Sequence, residues 1–539
     1  MERSFSQGDG LNVYRIMAVA PFGAAVRGFG GVAVVAAGES GGLPAAMLSL
    51  APGVTILMPK EYCPDGCLIF TAVTIEDFDP GNMMQRQPYL AALAKSLGIA
   101  RSAEKEGLAH CEVEERLRKL LPGVLLDYAP PEREHLKAKP VESAPSASAL
   151  DDLFSLVDLG GDGKEGAGPE EDRFRGLQMQ LETIIRQVMQ RIFASPEFRT
   201  LESAWRGAAL MINAAAEGEG CHRVEFLLVS ADEESLPELL EELGSMRASR
   251  LPNLILLDYS VSNTPLSLDM LESIIKAADM LMCPFALWVG PEFFGLSQWE
   301  ELARLSYIRS VLEQAQYARW RTLRKRSGAD WTMMMMNRVS SRAVHTGLFC
   351  DNVWLSFREK EPHWISPVWV AGALCARSVR ETAWPVHTKS PLRFSLEYTP
   401  AFATGALTLE VPLPDERARQ FADAGFITLS AVKAENRLFL ATLSAMTGRP
   451  AESQLFFGMV LAFMFRLQEN MPEIGYDRSA VTIADMLKLF FSRGGTLPPD
   501  DLDVRIEEDY NAGGETLCIS FTPPPSIVRA DTISFNLRW

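Results

Sequence analysis

Residues 197–207 read Glu197-Phe198-Arg199-Thr200-Leu201-Glu202-Ser203-Ala204-Trp205-Arg206-Gly207 and follow a strongly amphipathic segment. In that segment, residues 173–193, apolar side chains recur three and four positions apart, which predicts a helix with one apolar face. The face consists of Phe174, Leu177, Leu181, Ile184, Ile185 and Val188.

The rest of the chain after this stretch alternates between two kinds of pattern. Strand-like runs at 223–229 and 254–258 are interspersed with helices predicted at 236–246, 268–280, 299–315 and 451–466. Four consecutive methionines, residues 333–336, cannot share one face and indicate a buried strand. The chain ends in strand-like runs at 517–521 and 532–539. Residues 173–539 are therefore predicted to form a large α/β domain that ends in strands.

The region before this domain has a different composition. Strand-like runs at 13–19, 31–36, 54–58 and 68–73 are separated by glycine and proline, and a helical stretch follows at 83–97. With 539 residues, the chain exceeds what one core usually organises. We predict a multi-domain α/β (α+β) protein with a β-rich domain over 1–130, a linker over 131–172 and the larger domain over 173–539.

One amphipathic island interrupts the linker, which is otherwise rich in Pro, Ala, Ser, Gly and charge. Leu150, Leu153, Phe154 and Val157 recur at helical spacing, which predicts a short helix over 148–159. A short amphipathic helix in a flexible tether is a candidate partner-binding element. The pattern alone does not distinguish this from docking on the chain's own body.

The charge balance argues against nucleic-acid binding as the main task. The chain has 52 Lys+Arg against 69 Asp+Glu, a net charge of −17. A local basic run, residues 319–326, is interpreted as a solvated helix face or a set of acid-pairing contacts rather than a phosphate site. No secretory signal or membrane-spanning stretch is visible, so we expect a cytoplasmic protein without membrane insertion.

Sequence motifs for chemistry are weak. Ser40 lies in a Gly-x-Ser-x-Gly pattern, but the following helical stretch is soon broken at Pro52. Residues 160–165 imitate a phosphate loop but place Glu165 where a Ser or Thr would hold magnesium. The eight cysteines and six histidines lack the spacing of a metal site. We therefore predict no catalytic residues, no cofactor and no metal, and hence not an enzyme.

Five stretches within 173–539 resemble, in the family's order, the large subunit of the type VI secretion contractile sheath. They are residues 197–207, 251–259, 277–296, 320–324 and 410–429. Their motif positions are Phe198, Leu201, Glu202, Trp205, Arg206, Gly207, Asp258, Tyr259, Pro284, Phe285, Trp320, Arg324, Gly425 and Phe426. After the fourth stretch the chain departs from the family, with Asn337-Arg338 where a Pro-Arg stretch is expected.

The first 130 residues resemble the small sheath subunit, chiefly through residues 68–70, 75–80 and 87–90. Most family members keep the two subunits as separate chains, so the resemblance implies a natural fusion. It further implies a structural protein that polymerises into a helical, contractile tube by strand exchange between copies and propels an inner tube. The partners implied are the chain itself, the inner tube protein, the baseplate and an AAA+ unfoldase that recognises the linker helix.

Two alternatives remain open at this point. One is a soluble enzyme with a cryptic active site in the α/β domain. The other is a sheath-like accessory or baseplate protein that does not polymerise.

Overall fold

A computed structural model describes most of the chain. The described residues are 11–23, 31–39, 41–106, 108–124, 126, 169–217, 220, 222–247, 250–350, 353–388, 395–397, 409–432, 437–474, 479–509 and 514–539. The predicted helix over 148–159, with Leu150, Leu153, Phe154 and Val157, lies outside them, as do Ser40 and residues 160–165.

The strands are β1 (Tyr14–Ala20), β2 (Val32–Ala36), β3 (Gly53–Leu57), β4 (Cys67–Thr71), β5 (Val224–Ser230), β6 (Leu254–Val261), β7 (Phe285–Val289), β8 (Thr332–Met336), β9 (Val339–Arg342), β10 (Gly347–Cys350), β11 (Val353–Ser356), β12 (His363–Ile365), β13 (Leu396–Glu397), β14 (Phe426–Val432), β15 (Arg437–Leu440), β16 (Asp503–Asp509), β17 (Gly514–Phe521) and β18 (Ile533–Arg538).

The helices are α1 (Gly42–Leu50), α2 (Pro80–Arg86), α3 (Pro88–Glu106), α4 (His110–Leu120), α5 (Pro169–Ala194), α6 (Pro196–Ala216), α7 (Leu236–Ser245), α8 (Pro265–Leu281), α9 (Ile308–Leu312), α10 (Ala318–Leu323), α11 (Pro367–Thr382), α12 (Asp415–Asp423), α13 (Glu452–Ile474) and α14 (Ala480–Phe491). Short 3-10 turns lie at Ile75–Phe78, Pro291–Phe294, Trp299–Arg304, Ala315–Tyr317, Ser327–Trp331 and Arg493–Gly495.

A nine-stranded mixed sheet organises the molecule, in the order β13-β15-β14-β8-β7-β6-β1-β5-β2. The strands from β14 to β5 are parallel, and antiparallel strands close both ends. Helices cover both faces, which is why the central strands are apolar on both sides. The methionine run forms β8 and is buried throughout, as predicted. The α/β fold class is confirmed.

The N-terminal region supplies a central strand of this sheet. β1 lies between β5 and β6, with Tyr14 paired to Val224 and Ile16 paired to Leu254. β2 forms the antiparallel edge next to β5. One continuous core cluster contains residues from both sides of the boundary drawn at 130, from Leu11 to Val528. The boundary in the sequence is therefore not a boundary in the hydrophobic core.

Two predicted helices differ in the structure. The stretch over 83–97 is two helices, because Pro88 forces Gln87 into an extended conformation between α2 and α3. The prediction of one helix over 299–315 is also wrong. This stretch forms a 3-10 turn, the short helix α9 and the start of a second 3-10 turn. The guanidinium of Arg417 binds the carbonyls of Leu302, Leu305 and Ser306, so those groups are engaged outside any continuous helix.

A separate three-stranded antiparallel sheet, β16-β17-β18, ends the chain. Leu517, Ile519 and Phe521 of the central strand are buried on one face. Phe535 of β18 packs on Phe457 of α13, with ring centroids 5.2 Å apart. The run predicted at 532–539 is therefore a strand, and within one chain it pairs with β17.

Candidate functional site

Helix α6 contains the first group of motif residues, and its start is specified locally. Ser195 is the N-cap, and its hydroxyl accepts a hydrogen bond from the backbone N–H of Phe198 at 3.3 Å. Pro196 occupies the first helical position, where its missing N–H costs nothing. Gly207 lets the helix approach α11, because a side chain there would occupy the ring of Trp369.

A buried ion-pair network extends from this helix. Arg342, on β9, donates to both carboxylate oxygens of Glu202, at 2.6 and 3.0 Å, and to both of Glu359, at 2.7 and 3.0 Å. Arg206 binds Glu202 at 2.7 Å, and Arg199 binds Glu359 at 3.0 Å. Because the side chains of Glu202, Glu359 and Arg342 are at most 3% exposed, each charge depends on its partners.

The network also reaches the N-terminal region. Arg206 donates to Asp79, in the stretch that resembles the small subunit, at 3.0 Å. Beside this contact, Phe198 packs against Phe70 and Phe78, with ring centroids 5.0 and 5.8 Å apart. Motif residues of the two predicted domains thus contact each other directly. Sequence reasoning missed this contact, because nothing in the spacing of charges indicates which distant partner each one meets.

The electrostatics of the network fix its protonation state. Burial raises the pKa of the Glu202 carboxyl, but His363, Arg342 and Arg206 outweigh burial and hold that pKa well below its ordinary value. Burial also lowers the pKa of His363 to about 3, although Glu202 lies 3.3 Å away. Burial lowers the pKa of the neighbouring His345 to about 3 as well. Both imidazoles are therefore neutral near pH 7.

The same residues include a Ser-His-Glu arrangement. The Ser341 hydroxyl lies 2.5 Å from Nδ1 of His363, whose Nε2 lies 3.3 Å from Glu202. This geometry is similar to that of a hydrolytic triad, but a base must be able to take up the hydroxyl proton. With its low pKa, His363 is a poor base, and both oxygens of Glu202 are already bound to arginine. The arrangement suits packing better than nucleophilic catalysis.

The second group of motif residues lies around the ends of β6, β7 and β14. Asp258 accepts a hydrogen bond from the Trp369 indole at 2.9 Å, and the hydroxyl of Tyr259 donates to the Ala231 carbonyl. The Pro284 carbonyl accepts from Ile255 at 2.9 Å, directly before buried Phe285. These contacts hold neighbouring strands and helices in place.

Trp320 and Arg324 fix the turn that follows β15. Trp320 stacks on Phe426 with ring centroids 5.4 Å apart, and Arg324 binds the carbonyls of Met446 and Thr447 at 2.7 and 3.0 Å. Gly425 has φ +90°, and a side chain there would also strike the Met446 carbonyl. The motif residues Arg324 and Gly425 therefore both contact this turn, and Trp320 stacks on the residue that follows Gly425.

At Asn337-Arg338, where the sequence differs from the sheath family, both side chains have defined partners in the structure. Asn337 has φ +79°, and its side-chain amide binds the backbone of Val411 and Leu429. Arg338 pairs with Glu410. These bonds join β8 to the segment before α12.

The basic run over 319–326 forms acid-pairing contacts. Arg319 pairs with Asp269 and Glu272, and Arg326 pairs with Glu272 at 2.8 Å. Arg321, like Arg324, binds backbone carbonyls. Acid pairing is thus observed for Arg319 and Arg326, whereas Arg321 and Arg324 bind backbone carbonyls instead. In the described ranges, no group of three His, Cys, Asp or Glu side chains is placed to hold a metal ion.

The edges of the terminal sheet are the other candidate functional feature. Both β16 and β18 are edge strands within the described part of the chain. The backbone N–H of Trp539 donates to the Glu515 carbonyl at 2.8 Å. Backbone N–H groups point to alternate sides along a strand, so those of Leu537 and Phe535 also point toward β17. The N–H groups of Asn536 and Ser534 then point outward, where another strand can accept them.

The nine-stranded mixed sheet, the buried charge network and the three-stranded terminal sheet are the features against which known families can be compared. The chain belongs to the VipB family of tail sheath proteins, because residues 177–446 match the family model described as EvpB/VC_A0108, tail sheath N-terminal domain. None of the helices in the described part of the chain combines the length and apolar character needed to cross a membrane.

The chain is 22% identical over 290 residues to the type VI secretion system sheath protein TssC1 of Pseudomonas aeruginosa. That match covers 48% of this chain and 57% of the relative, so the chain spans little more than half of the relative's length.

Two solved structures are also similar. The sheath tail protein Lin1278 of Listeria innocua has a TM-score of 0.35 at 9% identity, over 57% of this chain and 60% of that one. The contracted PVC sheath complex of an extracellular contractile injection system has a TM-score of 0.32 at 11% identity, over 62% and 76%.

Proposed function

We propose that this chain is the structural subunit of a contractile type VI secretion sheath, which polymerises into a helical tube and shortens to propel an inner tube. The observation that supports this most strongly is the family match over residues 177–446. Such a subunit needs rigid bodies and compliant connections rather than a reaction centre.

The proposal includes the small-subunit role of residues 1–130 within the same chain. Its support is the position of β1 between β5 and β6, and the contact of Asp79 with Arg206. A central strand of seven residues, buried on both faces, is part of the core of the large region. A second polypeptide could not take this place while β1 occupies it.

Copies are proposed to join through the terminal sheet. Residues 532–539 either leave β17 and pair with a neighbour or accept a neighbour's strand along the outer edge of β18. Backbone hydrogen bonds suit this role, since they tether neighbouring copies while the bodies rotate. A contact between different surfaces of identical chains then extends without limit into a helix.

The remaining partners follow from the same proposal. They are the inner tube protein, the baseplate and an AAA+ unfoldase that binds Leu150, Leu153, Phe154 and Val157 of the linker. The protein would act in the bacterial cytoplasm, without catalytic activity.

The experiment that tests the proposal is negative-stain microscopy of the purified full chain. Hollow tubes are expected. A particle that stays monomeric at high concentration would contradict a sheath subunit, and one that binds preformed sheath without forming tubes would favour an accessory or baseplate role.

The alternative function, an enzyme with a cryptic active site, would have to use the Ser341-His363-Glu202 arrangement, against which the low pKa of His363 argues. A serine-reactive fluorophosphonate probe distinguishes the two functions. Labelling that disappears in S341A would support a hydrolase.

A further inference from the structure

An exposed strip of aromatic and basic side chains lies along the β10-β11 hairpin and the segment that follows it. Along residues 354–360 the chain is extended, with Leu355, Phe357 and Glu359 buried and the alternate residues exposed. The exposed row is Trp354, Ser356, Arg358 and Lys360, and Phe349 stands beside Trp354 with ring centroids 5.0 Å apart.

Nothing in the described part of the chain covers this strip. Phe349 is 71% exposed and Trp354 is 48% exposed. Arg358 and Lys360 form no ion pair with a described residue. The β10-β11 hairpin, which carries Phe349 and Trp354, is fixed by Arg101, which binds the Cys350 carbonyl at 3.1 Å. We name Phe349, Trp354, Arg358 and Lys360 the aromatic–basic strip.

A surface of opposite charge lies on α7. Glu238, Glu241 and Glu242 are exposed on one side of this helix, and exposed Glu234 precedes it. Within the described residues none of the four carboxylates is in an ion pair, and Arg247 and Arg250 follow only after the helix ends. We name these four glutamates the acidic helix face.

An apolar side chain accompanies the acidic helix face. Met280, 61% exposed on α8, has its methyl group against Gly244 of α7. Methionine sulfur packs well on aromatic rings, and both surfaces therefore combine charge with a matching apolar contact.

The two surfaces lie on opposite faces of the nine-stranded sheet. The residues beneath the strip, Leu348, Leu355 and Phe357, belong to the core on the side of Ile16 and Ala18. The residues beneath the acidic helix face belong to the core on the side of Met17 and Val19, since Leu236, Leu239, Leu240 and Leu243 pack there. Successive residues of β1 point to opposite faces, so the sheet separates the two surfaces and they cannot meet within one chain.

We propose that the aromatic–basic strip of one copy docks on the acidic helix face of a second copy of this chain. Charge complementarity supports this occupant, as does spacing. Side chains two apart on an extended strand are about 6.7 Å apart, and those four apart on a helix are about 6 Å apart. Arg358 and Lys360 can therefore face Glu238 and Glu242 together.

This contact joins two different surfaces, so it continues from copy to copy rather than closing into a dimer. It rests on the proposed function, to which it adds a specific interface between copies. That interface is distinct from the strand exchange proposed for β18.

The test uses charge reversal in the full chain, with sedimentation velocity and negative-stain microscopy at low salt. R358E/K360E alone and E238K/E242K alone are each expected to lose assembly. A 1:1 mixture of the two should assemble again as an alternating copolymer, because the unchanged surface of each variant matches that of the other and the two reversed surfaces are also complementary. The chain with all four substitutions should recover assembly. R118E/K119E on α4, with the same charge change, should assemble like the wild type.

Assembly of R358E/K360E at the wild-type level would overturn this contact while leaving the sheath proposal standing. Loss of assembly in both variants without recovery in the mixture would overturn it as well, provided that circular dichroism shows folded protein. A wild-type chain that remains monomeric would overturn both proposals.

Discussion

Arg206 and Asp79 are joined by a 3.0 Å ion pair, and the pair connects helix α6 to the N-terminal region across 127 positions of sequence. Asp79 is 30% exposed and Arg206 is 11% exposed, so the contact lies at the rim of the buried network rather than at its centre. The stability of the connection should therefore depend more on the fully buried members of the network.

Replacing Arg342 should be among the most destabilising single changes. R342A leaves the carboxylates of Glu202 and Glu359 without their bidentate partner, and a buried charge that loses its partner costs about 3–5 kcal/mol. Urea denaturation followed by circular dichroism measures this. R449A is the matched control, because Arg449 is 76% exposed and exposed pairs contribute about 0–1 kcal/mol. Equal losses in the two variants would contradict the buried network.

Acid should weaken the fold well above the pH at which carboxyl groups protonate. Burial lowers the pKa of both His345 and His363 to about 3, whereas an unfolded histidine titrates near 6.5. Between these values the unfolded chain binds more protons than the folded one, so stability falls as the pH falls, by about 1.4 kcal/mol per pH unit for each histidine.

The variant H345F tests this dependence, because Phe can keep the ring contact with Phe193 but cannot titrate. Its free energy of unfolding should fall less steeply than that of the wild type between pH 6.5 and pH 4.5, by up to about 1.4 kcal/mol per pH unit. A wild-type protein equally stable at both values would show that these imidazoles are charged in the folded state.

Two glycine-to-alanine changes in helices should have opposite signs. Alanine favours a helix over glycine by about 1 kcal/mol, but a side chain at Gly207 would enter the indole of Trp369. G207A should therefore destabilise by about 1–3 kcal/mol. At Gly244 the obstacle is only the flexible end of Met280, so G244A should stabilise by about 0.5–1 kcal/mol. Thermal unfolding of both variants decides the point.

Deleting residues 532–539 should leave a soluble chain that forms no tubes, because the deletion removes β18. Since it also removes the packing of Phe535 on Phe457, N536P provides a second variant. The Asn536 N–H points away from β17, so proline there blocks the outer edge without breaking the internal ladder. Tubes from the deletion variant, seen by negative stain, would refute a role for this strand.

Substituting the apolar side of the linker segment should separate recycling from assembly. L153D/F154D places two charges among the side chains predicted to enter an unfoldase groove, and binding to the unfoldase should be lost while tubes still form. Fluorescence anisotropy with purified unfoldase measures the first effect and microscopy the second. Unchanged affinity would instead assign the segment to packing on its own chain.

The sequence predicted the elements whose patterns are local. The apolar stripe from Phe174 to Val188 and the buried methionine run both correspond to observed elements, because periodicity and burial determine them directly. The break at Gln87-Pro88 was also readable from proline chemistry, although the prediction over 83–97 ignored it.

Long-range placement could not be derived in the same way. Nothing in residues 13–19 indicates that they insert between two strands more than 200 positions later, as the pairing of Tyr14 with Val224 shows. The partners of Arg342 were equally hidden, because burial rather than spacing brings Glu202 and Glu359 to it. The motif residues were found by resemblance, which identified positions but not contacts.

The position of β1 has a consequence for biosynthesis. Arg15, on that strand, binds Asn253, which is 238 positions further along the chain. At a translation speed of about 5–20 residues per second, this neighbour leaves the ribosome roughly 10–50 s after β1 does. During that interval an apolar strand waits without its sheet, so the nascent chain should be a client of ribosome-associated chaperones until residue 261 has emerged.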